Sequence, residues 1–156
     1  MTNLDNLKKL SDFDNKSLLI VDDDNPFRDR LSRAMEKKGF EVFQAQSVEK
    51  GIQLVKEKKP AFAVVDLRLA DGNGLEVVKQ IQLSNTASRI IMLTGYGNIP
   101  TAVAAIKEGA IDYLAKPADA DDVEKALLAD PEKRAAPPEN PMSADRVKWE
   151  HIHRVF

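Results

Sequence analysis

From Ser17 to about Ala129 short β-branched, apolar runs alternate with longer segments in which apolar residues recur every three or four positions. The runs "SLLIV" (17–21), "EVFQA" (41–45), "AFAVVD" (61–66), "RIIML" (89–93) and "DYLA" (112–115) predict five strands. They are nearly unbroken in apolar character, as burial on both faces of a parallel sheet requires. Between them the spacing predicts helices. Asn25, as N-cap before Pro26, opens the first, whose apolar face is Phe27, Leu31, Ala34 and Met35 and which ends at Gly39. Ser47 caps a second on Val48, Ile52 and Val55, which Pro60 stops. A third spans 74–84 on Leu75, Val78 and Ile81, an alanine-rich fourth spans 98–107 and closes at Gly109, and a fifth spans 119–129 on Val123 and Leu127. Five strand–helix units are too few for an eight-stranded barrel, so the expected fold is α/β, an open, doubly wound parallel sheet.

In such sheets ligands sit beyond the carboxyl ends of the strands. The residues at those ends are polar: Asp22, Asp23 and Asp24 after the first strand, Asp66 after the third, Thr94 after the fourth, and Lys116 before Pro117 after the fifth. Carboxylates converging on one edge repel by on the order of 4 kcal/mol per pair at about 4 Å and an effective dielectric near 20. Lys116 supplies one compensating charge, and a hard divalent cation, with Mg²⁺ the natural choice, supplies the rest. A cation, a lysine and a hydroxyl suit phosphoryl transfer, and an Asp carboxylate can itself accept the phosphoryl group. Asp24 reads instead as charge at a helix N-terminus, and "DGNG" (71–74) as a turn before a helix. Tyr113 reads from its strand either as core or as a switch.

Composition narrows the chemistry. There is no cysteine, and both histidines, His151 and His153, fall in the last six residues, so thiol chemistry is excluded and the body has no imidazole. With 23 Lys plus Arg against 25 Asp plus Glu, the net charge of −2 exerts no overall pull on nucleic acid or anionic membrane. No apolar run is long enough to span a bilayer, and a cytoplasmic protein is expected. Residues 1–16 read as an N-terminal tail in which Leu4, Leu7 and Leu10 are frayed rather than docked. After the body (17–129), the proline-rich stretch 130–142 reads as a stiff linker. Residues 143–156 then begin like a helix, with Trp149, Ile152 and Phe156 on one side.

The segments "IVDDDNPF", "VVDLRLADGNGLEVV", "MLTGYG" and "DYLAKP", in this order, resemble the receiver domain of bacterial two-component response regulators. "TGYGNIPTAVAAIKEGAIDYLAKPADADD" and "PPENPMSADRVKWEHI" further resemble the RegA/PrrA/ActR group of redox-responsive regulators, in which a proline-rich linker leads to a Fis-type helix-turn-helix. The resemblance implies the flavodoxin-like strand order 2-1-3-4-5 and a protein that is not a turnover enzyme. It makes Asp66 the phosphoacceptor, with Asp22, Asp23, Asp66 and the backbone carbonyl of Arg68 around Mg²⁺. Thr94 would bind a phosphoryl oxygen, Lys116 would pair with the phosphate, Tyr113 would switch with Thr94, and Pro117 would follow a cis bond. It implies a sensor histidine kinase as partner and a homodimer through the face of the fourth helix, fifth strand and fifth helix. DNA would be contacted only through an output module inside whose first helix the sequence stops, so the chain reads as truncated or as a variant without output. Pro100, in the first turn of the fourth helix, departs from the pattern. Two rival readings are a haloacid-dehalogenase-like phosphatase, with Asp22 as nucleophile in "LLIVDDDN", and an interaction module in which the acids are idle.

Overall fold

The five apolar runs pair into one parallel sheet, in the order Glu41–Ala45, Ser17–Val21, Phe62–Asp66, Arg89–Thr94, Asp112–Ala115. The computed structural model describes residues 9–95 and 112–129, together with Pro100, Val103 and Lys107, which are helical. The rest of the fourth expected helix, the proline-rich stretch and the C-terminal helical segment lie outside the described residues. The strands are β1 (Ser17–Val21), β2 (Glu41–Ala45), β3 (Phe62–Asp66), β6 (Arg89–Thr94) and β7 (Asp112–Ala115). A two-stranded antiparallel hairpin, β4 (Arg68–Leu69) with β5 (Gly72–Asn73), comes directly after β3 and was not expected from the sequence. The helices are α1 (Asn25–Lys37), α2 (Val48–Lys58), α3 (Gly74–Ser84) and α4 (Ala120–Leu128).

Alternation along the buried strands divides the core in two. Leu19, Val21, Ala63, Val65, Ile90 and Met92 face Val48 and Val55 of α2 and Val77, Val78 and Ile81 of α3. Leu18, Ile20, Phe62, Val64, Ile91 and Leu93 face Leu31 and Met35 of α1 and Val123, Ala126 and Leu127 of α4. The strands β1 and β3 are buried along their whole length, whereas β2 and β7, at the sheet edges, are only partly covered. Continuous burial therefore holds for the central strands alone.

The helix starts show which cap wins locally. The expected cap Asn25 is already helical, and Asp24 takes the place, its Oδ1 accepting the amide of Phe27 at 3.1 Å. A carboxylate gains from the positive helix end as well as from the hydrogen bond, so it outcompetes the neighbouring amide. Asp24→Ala is expected to cost about 1 kcal/mol in a denaturant melt. At the other end Gly39 takes φ 110°, as a glycine after a helix can. Ser47 and Asp119 cap α2 and α4 through the amides of Lys50 and Asp122. Lys59, rather than Pro60 alone, terminates α2 by adopting the left-handed conformation at φ 45°.

The described part of the N-terminal segment is docked rather than frayed. Leu10, in a single 3-10 turn (Leu10–Asp12), is 8% exposed and packs into the α1–α4 side of the core. Phe13 meets the ring of Phe62 edge-on at 5.1 Å, and Phe40 meets the same ring at 5.2 Å. Arg89 lies over the Phe13 ring at 5.2 Å and donates from Nη1 to the carbonyls of Leu127 (3.1 Å) and Ala129 (2.6 Å). Leu10 therefore departs from the frayed tail expected, because a leucine just before the first strand can reach the open end of the core, which the spacing of a short tail does not reveal; Leu4 and Leu7 lie outside the described residues.

Candidate functional site

Parallel strands end side by side, so the residues just past β1, β3 and β7 converge without any loop having to reach. One oxygen each from Asp22, Asp23 and Asp66 falls within a common 4.8 Å separation. Asp22 has no exposed surface; Asp66 is 7% exposed and Asp23 is open to solvent. Lys116 enters from β7, its Nζ 3.0 Å from Asp22 Oδ2 and 3.3 Å from Asp66 Oδ2. The same ammonium lies 4.8 Å from the centre of the Phe27 ring on α1, a cation–π contact that holds it from its apolar side. Residues 23, 66 and 116, on whose convergence the sequence reading depends, share one pocket.

The electrostatics are those of an under-compensated acid cluster. Burial, reinforced by the charge of Asp22, raises Asp66 from 3.8 to about 6, against the opposing pull of Lys116. Burial works against the charge of Lys116 too, yet Asp22 and Asp66 outweigh it and its pKa is raised. Asp22 Oδ1 accepts the amide of Asp24 at 2.9 Å, while Asp22 Oδ2 accepts no hydrogen bond among the described residues. Lys116 is near enough to Oδ2 to attract it but is not aligned to donate to it. A buried carboxylate oxygen without a donor, beside two further carboxylates, is the donor chemistry a hard divalent cation satisfies.

Thr94 ends β6, is 1% exposed, and donates from its hydroxyl to the carbonyl of Gly95 at 3.2 Å. Tyr113 is partly buried and packs against the α2–α3 side of the core. The Lys116–Pro117 peptide is cis. Arg68 opens β4, paired with Asn73 of β5, directly after Asp66. Asp24 stands apart from the three-acid group as the α1 cap.

Three contributors escaped the sequence reading. Phe27, expected only as helix core, touches Lys116. Gly74, expected as a turn residue, passes so close to Asp66 that a Cβ there would overlap the Asp66 carbonyl oxygen and crowd Val65 Cγ1 at 2.9 Å. Asp71 accepts the amides of Val48 (2.8 Å) and Glu49 (3.1 Å), pinning the β4–β5 hairpin to the start of α2. Those amides lower the pKa of Asp71. A lowered carboxyl stabilises the fold above its unfolded pKa and ceases to as the pH drops through the folded value. Asp71→Asn should therefore melt below the parent at pH 7, and the gap should close as the pH falls below about 3.8 in a pH series of thermal melts.

The response regulator receiver domain family model matches residues 18–128. The chain is 60% identical over 141 residues to the photosynthetic apparatus regulatory protein RegA of Rhodobacter capsulatus, covering 90% of this chain and 77% of that one. It is 61% identical to the acid tolerance regulatory protein ActR of Rhizobium meliloti, with 90% and 73% covered. The chain belongs to the response regulator receiver family. A response regulator structure from Burkholderia pseudomallei, with a phosphorylated aspartic acid, a calcium ion and citrate, superposes with a TM-score of 0.73 at 34% identity, covering 90% of this chain and 84% of that one. The receiver domain of NtrX from Brucella abortus gives a TM-score of 0.64 at 30% identity, covering 70% and 97%. This receiver is thus a homologue of the RegA and ActR regulators of two-component systems, and it fits phosphorylation-dependent control of transcription. Receivers are signalling proteins and bind Mg²⁺ at an acidic pocket; regulators of this kind take phosphoryl groups from histidine kinases and act on DNA through output domains. The receiver's sheet has the expected flavodoxin-like order once the β4–β5 hairpin is set aside. No helix among its described residues is long and apolar enough to cross a membrane.

Proposed function

We propose that Asp66 is the phosphoacceptor of this chain, taking a phosphoryl group from the phosphohistidine of a sensor kinase. The observation that carries this reading is the convergence of Asp22, Asp23, Asp66 and Lys116 on one pocket at the strand ends. Asp22, Asp23, Asp66 and the Arg68 carbonyl would hold Mg²⁺, which when bound offsets carboxylate repulsion and draws charge from phosphoryl oxygens. Asp66, ionised at neutral pH, presents a carboxylate oxygen to phosphorus; the new O–P bond replaces the N–P bond, and the imidazole leaves with the electron pair. Lys116, already within 3.3 Å of Asp66 Oδ2, pairs with the transferred group. Thr94 exchanges its weak bond to Gly95 for a phosphoryl oxygen, and Tyr113 moves inward with it. Such a switch needs only a few kcal/mol between the two states, the range one group's differential affinity can supply. The products would be a free kinase histidine and an aspartyl phosphate that hydrolyses, with no turnover of a separate substrate. We place the protein in the cytoplasm, acting on DNA only through an output domain and dimerising through the face that includes β7 and α4.

The phosphatase reading makes Asp22 the nucleophile. Its complete burial argues against that role, because a donor would have no surface to approach. The two readings part on where the label sits. After incubation with acetyl phosphate and Mg²⁺, borohydride trapping and peptide mapping should find the modified residue at Asp66, and Asp66→Ala should carry no label. Label on Asp22, or surviving Asp66→Ala, would overturn the assignment. An absence of any Mg²⁺-dependent response to beryllofluoride would favour the idle-module reading.

A further inference from the structure

The three acids are not held equally. Asp22 is walled in, its carboxylate caught between the Asp24 amide and Lys116, and Asp66 is fixed by β3 and Lys116. Asp23 is exposed, and its side chain makes no hydrogen bond or ion pair among the described residues. Its direction is therefore set by its backbone. On one side the Asp22 amide donates to the Ala45 carbonyl at 3.0 Å, and on the other the Asp24 amide donates to Asp22 Oδ1 at 2.9 Å. The carbonyl that leads directly into Asp23, that of Asp22, is taken by Arg28 Nη1 at 2.6 Å. The same guanidinium donates from Nε to Gln44 Oε1 on β2 at 2.9 Å. Arg28, from the first turns of α1, thus ties the acidic turn to the neighbouring strand, and the peptide plane between Asp22 and Asp23 cannot rotate while both bonds stand.

We propose that Arg28 is a positioning residue for the cation site, setting the direction of Asp23 through the Asp22 carbonyl, with Gln44 as its anchor. This rests on the reading of the acids as a cation site. The sign of the effect separates it from simple charge. As a positive group near three carboxylates, Arg28 should repel a cation, so its removal on electrostatic grounds alone would tighten binding. As the lock on a peptide plane, its removal lets Asp23 sample orientations it must give up again on binding, which weakens binding by roughly tenfold for one residue's backbone freedom.

The test is Mn²⁺ binding, read from the electron paramagnetic resonance of the free ion, with Mg²⁺ by competition and a thermal melt of each variant. Arg28→Ala should raise the dissociation constant for Mn²⁺ roughly tenfold, and Gln44→Ala by a few-fold. Arg28→Lys, which keeps the charge and can reach one acceptor but not both, should fall between parent and Arg28→Ala; it also serves if the alanine variant does not fold. Ser47→Ala, which removes the α2 cap, supplies a control that melts lower without losing affinity. Affinity unchanged or tighter in Arg28→Ala, or in Arg28→Lys where the alanine variant is unfolded, overturns the proposal. If instead the parent fails to bind Mn²⁺, or Asp23→Asn binds as the parent does, the cation-site reading itself fails and this inference falls with it.

Discussion

Asp66→Asn is expected to lose all phosphoryl labelling and yet, in metal-free buffer at pH 7–8, to melt above the parent. The gain comes from the pocket's charge. Burial and Asp22 raise the Asp66 carboxyl to about 6 from 3.8, so between those pH values the folded chain holds a proton that the unfolded chain has already released, and above them it carries a buried, disfavoured charge. Stability contributed by such a group falls as the pH rises between those two values and is at its minimum above the higher one. An amide of the same shape carries no charge and escapes the penalty. Allowing for solvent access and for the lost pairing with Lys116, the gain is about 1–2 kcal/mol. Parent and variant should therefore melt alike near pH 4 and diverge up to about pH 6, and Mg²⁺ should stabilise the parent alone. Melting curves across pH with and without the cation check both signs; a variant less stable than the parent at pH 8 would mean that Lys116 already compensates the cluster.

Gly74→Ala is expected to destabilise the chain by about 3 kcal/mol or more, one of the larger effects a single methyl can have. Helix propensity argues the other way, since alanine is worth up to about 1 kcal/mol over glycine inside a helix. That gain is small at a first helical position and cannot offset overlap with backbone. The obstructing atom is the carbonyl oxygen of Asp66, and behind it Val65 is fully buried, so neither can step aside as a flexible side chain would. Gly74 also donates its amide to the Leu67 carbonyl at 2.8 Å, so any outward shift of α3 breaks that bond. Urea denaturation measures the loss, and the folded fraction should also bind Mg²⁺ more weakly because the backbone of Asp66 is displaced. A change within about 1 kcal/mol of the parent would show that α3 can move.

The legibility of each feature in the sequence depends on how local its determinant is. The five strands of the parallel sheet and the helices α1 to α4 could be read because each is an uninterrupted run with a period of its own, and parallel pairing then carries Asp22, Asp23, Asp66, Thr94 and Lys116 to one edge without further information. The helix-end role of Asp24 could be read from its place before α1, but its displacement of Asn25 as the cap turns on a competition between adjacent residues that the pattern does not resolve. Phe27 and Arg28 were hidden for a different reason. Their contacts depend on how α1 lies across the sheet, which brings one turn of helix against both Lys116 and the carbonyl of Asp22. Gly74 carried a readable sign, a glycine where a helix begins, but only the distance to Asp66 turns a turn residue into a packing requirement.

The clamp of Arg89 on Ala129 fixes where α4 hands the chain on, relative to the acids. It grips the chain at the starting edge of the sheet, where β6 begins, while Asp66 lies at the finishing edge. A five-residue strand spans roughly 17 Å, so these are opposite poles of the molecule. Ala129 is thus held at the pole away from the acids, beside Phe13 of the N-terminal segment, so any movement that starts at the acids must cross the sheet to reach it.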